Sequence, residues 1–92
     1  MTNAIITLKI NLESPEVIVE DVENKALEKI KSFNDNKETK TEIEPIAFGL
    51  KAIRITFVAD EAKGATESLE EEISEIPGVQ SVECVDVRRA IG

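Results

Sequence analysis

The sequence predicts an α+β protein with a ferredoxin-like two-layer sandwich, in which a four-stranded antiparallel sheet carries two helices on one face. The first observation is the order of the hydrophobic patterns, which runs strand, helix, strand, strand, helix, strand. Two such strand-helix-strand halves in one sheet give the βαββαβ arrangement. The second observation is length, since 92 residues suffice for one core of two layers. We therefore expect residues 1–92 to form a single domain.

The first strand is predicted over residues 4–10, because its apolar residues alternate with others and share one face: Ile6, Leu8 and Ile10. Ser14 and Pro15 interrupt this pattern and suit the start of a helix. The helix begins between Pro15 and Glu20, since "VIV" is β-branched and ambiguous. It extends to Phe33, because apolar residues recur every three or four positions: Val19, Val22, Ala26, Ile30 and Phe33.

The second and third strands follow a loop at residues 34–37. Residues 38–48 form a weak strand that is rich in charge and threonine. Pro45 has no amide hydrogen for a ladder, which assigns this strand to an edge of the sheet. After Gly49, residues 50–58 form a strong strand with one apolar face made of Ile53, Ile55 and Phe57.

The second helix is predicted over residues 65–76, after a turn at 59–64. Its inward residues are Leu69, Ile73 and Ile76. Pro77-Gly78 ends it, and residues 79–87 form the last strand. The alternation in that strand slips after Cys84, which predicts a β-bulge nearby. The residues expected to be largely buried are Ile6, Leu8, Val22, Ile30, Ile53, Ile55, Leu69 and Ile73.

Composition excludes several classes of function. The net charge of −8 argues against direct nucleic-acid binding, which requires a basic face. The chain has one cysteine and no histidine, so we expect no disulfide, no cysteine-based metal cage and no cofactor. No apolar run approaches the roughly 20 residues of a membrane helix, and the first residues do not form a signal peptide. We therefore expect a cytoplasmic protein that does not bind membranes.

The reactive and metal-binding side chains have structural interpretations. Glu70, Glu71, Glu72 and Glu75 point in different directions around a helix, so they indicate a solvated face rather than a metal site. Cys84 lacks a histidine partner, so we expect a small core residue rather than a nucleophile. The sequence thus predicts neither a catalytic residue nor a metal ligand.

Two features are left for a functional surface. Phe48 lies beside Gly49 at the junction of the second and third strands, where a core position and a partner contact are equally consistent with the pattern. Arg88 and Arg89 concentrate positive charge near the C-terminus, and a frayed charged end is the simplest interpretation of them.

A family resemblance adds weight to both features. "EPIAFGLKAIRITFV", followed by a glutamate-rich helix and "VQSVECVDVRR", resembles archaeal translation elongation factor 1-beta and the C-terminal exchange domain of its eukaryotic counterpart. The resemblance spans nearly the whole chain, and "PIAFGLK" is its most specific segment. It implies a guanine-nucleotide exchange factor without covalent chemistry, whose partner is the GTPase elongation factor 1-alpha.

The same resemblance implies where the partner binds. An aromatic residue in the matching "FG" pair contacts the GTPase in the eukaryotic family, and Phe48 takes that position. Ile46, in the same segment, is expected to contact the partner as well. A lysine near the C-terminus of those proteins reaches toward the magnesium site, and Arg89, beside Arg88, stands there in this chain. We expect the protein to act as a monomer.

The alternative function is a small-metabolite-sensing regulatory module, because "PGVQSVECVDV" is similar to such modules of the same fold. It is also similar to small metal-carrying domains, but those require a cysteine pair that this chain lacks. A regulatory module predicts a stable homodimer with a ligand pocket, and an exchange factor needs neither.

Overall fold

The computed structural model describes residues 3–34, 36, 38–60 and 66–90. They form six elements in the predicted order: β1 (Asn3–Leu12), α1 (Val19–Phe33), β2 (Thr39–Pro45), β3 (Lys51–Asp60), α2 (Glu67–Ser74) and β4 (Val79–Ala90). The strands make one antiparallel sheet in the order β2-β3-β1-β4. The predicted ferredoxin-like sandwich is therefore confirmed, with the proline-containing strand at an edge.

The core lies between the sheet and the helices. Alternate residues of the two central strands face it, so that Ile10 pairs with Ile53 and Leu8 with Ile55. All eight residues predicted to be buried are buried: Ile6, Leu8, Val22, Ile30, Ile53, Ile55, Leu69 and Ile73. Phe33, at the end of α1, meets Phe57 edge to face with ring centroids 6.2 Å apart, an arrangement that aromatic pairs favour.

Several boundaries differ from the expected ones. The strand predicted over residues 38–48 is shorter in the structure. Strand β2 ends at Pro45 and is followed by a 3₁₀ turn. The N–H of Ile46 still donates a 2.7 Å hydrogen bond to the carbonyl oxygen of Leu50, so the strand ends because the chain reverses in the turn Ala47–Gly49. The helix α1 begins at Val19, within the expected window. Ser14 does not cap it, because its Oγ accepts a hydrogen bond from the backbone N–H of Glu16.

The predicted bulge in β4 is present. Thr7 pairs with Asp86 while Leu8 pairs with Cys84, so Val85 has no opposite residue in β1. The prediction that Cys84 is a core residue is wrong, since its side chain is exposed. The reason is that β4 is an edge strand with a neighbour on one side only, whereas its partner Leu8 has neighbours on both sides and is fully buried.

The Pro77-Gly78 turn fixes the segment that leads into α1. Gly78 has φ of 97°, and a Cβ at this position would lie 2.7 Å from Cγ1 of Val17. Its carbonyl oxygen accepts a hydrogen bond of 3.0 Å from the N–H of Glu13. A residue with a side chain would therefore meet both an unfavourable backbone angle and a close contact.

We expect Gly78→Ala to destabilise the protein more than Gly49→Ala, measured as free energy of unfolding in urea. Both positions have positive φ, which costs a non-glycine residue about 1 kcal/mol or more. Only Gly78 adds a steric overlap, which costs about 1–3 kcal/mol further. The added loss should shrink when Val17→Ala makes room for the new methyl group. Equal losses for the two glycine variants would contradict this packing.

Candidate functional site

The most exposed large apolar side chain in the described part of the chain is Phe48, at 94% exposure. It lies in the 3₁₀ turn Ala47–Gly49, between the edge strand β2 and β3. The N–H of Ile46 donates a 2.7 Å hydrogen bond to the carbonyl oxygen of Leu50, and the N–H of Leu50 donates to Ala47. The turn is thus closed by its own backbone, and the phenyl ring makes no contribution to the core.

The backbone of Phe48 adopts a left-handed conformation, with φ of 64° and ψ of 27°. This region is disfavoured for a non-glycine residue by about 1–2 kcal/mol, because Cβ crowds the backbone. The next residue, Gly49, also has positive φ, at 76°. The exposed ring gains no burial in return for this strain, which makes Phe48 a candidate for a contact outside the chain.

The surroundings of the turn add further apolar surface. Ile46 is 38% exposed on the strand side of Phe48. On the other side, a Cβ at Gly49 would lie 3.8 Å from Cβ of Pro15, in the segment that leads into α1. The turn and this leading segment therefore form one continuous end of the molecule.

Arg88 and Arg89 lie within β4, so the expectation of a frayed charged end is wrong. Arg88 pairs with Ile5 and Arg89 with Ala4 of β1. Consecutive strand residues point to opposite faces. Arg89 therefore shares the helix-covered face with Ala4, while Arg88 lies on the open face, where its Nε is 2.9 Å from Oδ2 of Asp86.

The two candidate regions lie at opposite ends of the sheet. Lys51 pairs with Pro45, next to the Phe48 turn, while Ala59 is level with Ala4 and Arg89. Eight residues of β3 separate these levels, which is roughly 27 Å along the strand. The structure therefore does not bring Phe48 and the arginines into one pocket.

Among the described residues, neither the Cys84 thiol nor the carboxylates are arranged as a reactive or metal-binding site. Partial burial raises the pKa of the Cys84 thiol, and the carboxylates of Glu70 and Asp86 raise it further, which disfavours the nucleophilic thiolate. No cluster of three or more metal-ligating side chains occurs among residues 3–34, 36, 38–60 and 66–90. Within the same ranges, no helix is long and apolar enough to cross a membrane.

Comparison with known proteins gives the class: a guanine-nucleotide exchange domain. The chain matches the sequence profile of the EF-1 guanine nucleotide exchange domain over residues 5–90. It is 39% identical over 89 residues to elongation factor 1-beta of Methanothermobacter thermautotrophicus, covering 97% of this chain and 98% of the relative. It is 40% identical over 90 residues to elongation factor 1-beta of Methanosphaera stadtmanae, with the same coverage of each chain.

More narrowly, the chain belongs to the EF-1 guanine nucleotide exchange domain family. Two solved structures support the fold alone. The de novo designed protein Foldit4 has a TM-score of 0.63 at 18% identity, over 98% of both chains. The BLUF protein BlrP1 has a TM-score of 0.57 at 16% identity, over the whole of this chain and 57% of the other.

Sequence reasoning did not single out Ile18, an exposed apolar residue at the start of α1. Ile18 is 63% exposed, although it lies in the "VIV" stretch that pattern alone assigns to the helix start. Its neighbours Val17 and Val19 pack against the core. Consecutive residues of an extended segment point to opposite sides. If Val17 and Val19 face the core, Ile18 must face solvent, so its exposure could have been predicted from the sequence.

We expect Phe48→Gly to be more stable than Phe48→Ala, measured by thermal and urea unfolding. At ordinary helix or strand positions the order is the reverse, with glycine less stable by about 0.5–1 kcal/mol. Here glycine relieves the left-handed strain that alanine keeps. Ala47, in the same turn with ordinary backbone angles, is the matched control, and Ala47→Gly should lower stability. A Phe48→Ala variant more stable than Phe48→Gly would contradict the observed turn.

Proposed function

We propose that this chain binds the GTPase elongation factor 1-alpha and promotes exchange of GDP for GTP by favouring the nucleotide-free state of that GTPase. Family membership supports the exchange activity. The single observation that carries the contact surface is Phe48, fully presented to solvent in a strained turn. In this proposal, residues 1–92 act as one monomeric exchange domain in the cytoplasm, without direct contact to nucleic acid.

Exchange of this kind requires binding energy and no covalent step. A GTPase holds its nucleotide through phosphate contacts and Mg²⁺. If the exchange factor binds the nucleotide-free GTPase more tightly than the loaded form, linkage requires that it weaken the nucleotide by the same factor. The raised pKa of Cys84 and the lack of histidine are compatible with such a mechanism.

Phe48 is the proposed anchor of the complex, with Ile46 beside it. An aromatic ring that enters a desolvated pocket can supply several kilocalories per mole of binding energy. Because the turn already fixes the backbone of Phe48, little backbone entropy is lost on binding. The left-handed strain at Phe48 is present in the free protein, so it does not reduce the affinity further.

The arginines are the proposed second contact, at the other end of the sheet. A cation that enters the region of the GTPase magnesium ion would compete with the metal for its ligands. Arg89 is the first candidate, because it stands where the family resemblance places the C-terminal lysine, and it lies on the helix-covered face with Ala4 whereas Arg88 lies on the open face. Because the two contacts lie roughly 27 Å apart, the GTPase would have to contact the sheet along the length of its strands.

We expect Phe48→Ala to weaken the complex while the fold survives. Loss of a hot-spot aromatic costs about 2 kcal/mol of binding, which is roughly thirtyfold in affinity. Loss of an exposed side chain usually changes the free energy of unfolding by less than about 0.5 kcal/mol. Alanine also has a Cβ, so it keeps the left-handed backbone strain of Phe48 and gains no stability from its relief. The measurement is the dose dependence of GDP release from elongation factor 1-alpha, together with thermal unfolding.

Phe57→Ala is the matched control, since Phe57 is 1% exposed and belongs to the core. It should lower stability strongly, by about 3–5 kcal/mol, without a specific effect per folded molecule. Phe48→Ala with a large drop in melting temperature and unchanged activity per folded molecule would refute the anchor. The molar mass of the pure protein in solution tests the proposal that it is a monomer. A stable homodimer would favour the alternative function, a regulatory module.

We expect Arg88→Ala/Arg89→Ala to slow catalysed GDP release, with most of the effect in the Arg89→Ala single variant. Arg89→Lys should retain more activity than Arg89→Ala if a cation alone is required. The effect should be seen in the maximal rate more than in the half-maximal concentration, because this contact acts on the metal site. Exchange by the double variant at the unmodified rate would show that these cations are not used.

A further inference from the structure

The Phe48 turn projects beyond the sheet with little support apart from its own backbone hydrogen bonds. The last paired residues of β2 and β3 are Pro45 and Lys51, so residues 46–50 extend past the end of the ladder. Residues 46–49 are all exposed, so their side chains do not anchor the turn to the core. Apart from the two strands, only a neighbouring segment can fix the direction in which the turn projects.

The neighbouring segment is the connection between β1 and α1, and Pro15 is its point of contact with the turn. A Cβ placed on Gly49 would lie 3.8 Å from Cβ and 3.9 Å from Cγ of Pro15, which is an ordinary van der Waals distance. Among the described residues outside the turn itself, only Pro15 has atoms within 4 Å of that point. The proline ring therefore lies beside the residue that follows Phe48.

Hydrogen bonds hold Pro15 in place. The N–H of Val17 donates a 3.2 Å hydrogen bond to the carbonyl oxygen of Ser14, which puts Pro15 at the second position of a four-residue turn. Proline is favoured at this position, because its ring already fixes φ near the value that the turn requires. The N–H of Glu13 donates to the carbonyl oxygen of Gly78, which ties the segment to the turn between α2 and β4. Pro15 is therefore held by contacts that are independent of the Phe48 turn.

We propose that Pro15 is a positioning residue for Phe48, whose ring supports Gly49 and thereby fixes the direction in which the Phe48 turn projects. This inference rests on the proposed function, because it concerns the residue assigned there as the anchor. Pro15 itself does not contact the GTPase. A turn that is held in one orientation before binding loses less entropy on binding, so the support raises affinity and leaves the maximal rate of GDP release unchanged.

The support can be tested on the free protein by amide hydrogen exchange with solvent. The N–H groups of Ile46 and Leu50 close the Phe48 turn. Pro15→Gly removes the ring, so these two groups should exchange roughly threefold faster or more, because the turn opens more often. Pro77→Gly is the matched control, since it removes an exposed proline from the turn between α2 and β4. It should leave the exchange of both groups unchanged.

The effect of Pro15 on GDP release should depend on the Phe48 side chain. Pro15→Gly should raise the half-maximal concentration roughly threefold, less than the roughly thirtyfold expected for Phe48→Ala, without a change in the maximal rate. Pro15→Ala keeps Cβ, one of the two carbons nearest to Gly49, and should show a smaller increase. In a Phe48→Ala background, Pro15→Gly should cause no further increase, because a positioning residue acts only through the side chain that it positions.

The outcomes separate this inference from the proposed function. If Phe48→Ala weakens GDP release while Pro15→Gly matches the unmodified protein in both measurements, the inference is overturned and the proposed function stands. The same holds if Pro15→Gly causes an equal loss with and without the Phe48 ring, or if Pro77→Gly has the same effects as Pro15→Gly. If the unmodified chain does not accelerate GDP release at all, the proposed function is overturned together with the role of Pro15 in it.

Discussion

Strand β1 is the element on which the rest of the structure depends, because it hydrogen-bonds to β3 on one side and β4 on the other. Its alternate residues, with Leu8 and Ile10 fully buried at the centre, form the floor of the core beneath both helices. The same ten residues fix the positions of the two ends of the sheet. Separation between the Phe48 turn and the arginines is therefore a property of strand pairing and does not depend on loop conformation.

The fold could be predicted from sequence because the core positions carry strong periodic signals. Ile53 and Ile55 alternate with smaller or polar residues, and Leu69 and Ile73 are one helical turn apart. The exposure of Cys84 could not be predicted in the same way. A cysteine fits a core or a surface equally well, and its burial depends on which strand lies at the edge of the sheet.

The candidate site was only partly accessible to sequence reasoning. The glycine after Phe48 indicated a turn, but the left-handed angle at Phe48 itself and the choice between core and surface required coordinates. The sequence predicts a frayed C-terminal end at Arg88 and Arg89, because "DVRR" lacks the alternation of apolar and polar residues that indicates a strand. Pairing with β1 keeps them in the strand, and that depends on residues more than 80 positions earlier in the chain.

The two irregularities of β4 have a consequence for comparing this strand between relatives. Thr7 and Leu8 are adjacent in β1 but pair with Asp86 and Cys84, and a second shift occurs between Asn11 and Leu12. Each extra residue reverses the odd-even parity that decides which face a side chain takes. Consider a relative whose last strand lacks one of these two irregularities. Its sequence could align without a gap, and yet the residue next to the aligned one would lie on the helix-covered face. Two C-terminal cations from different relatives are therefore equivalent only if they pair with β1 residues that face the same side of the sheet. A matching residue type in an alignment is not sufficient.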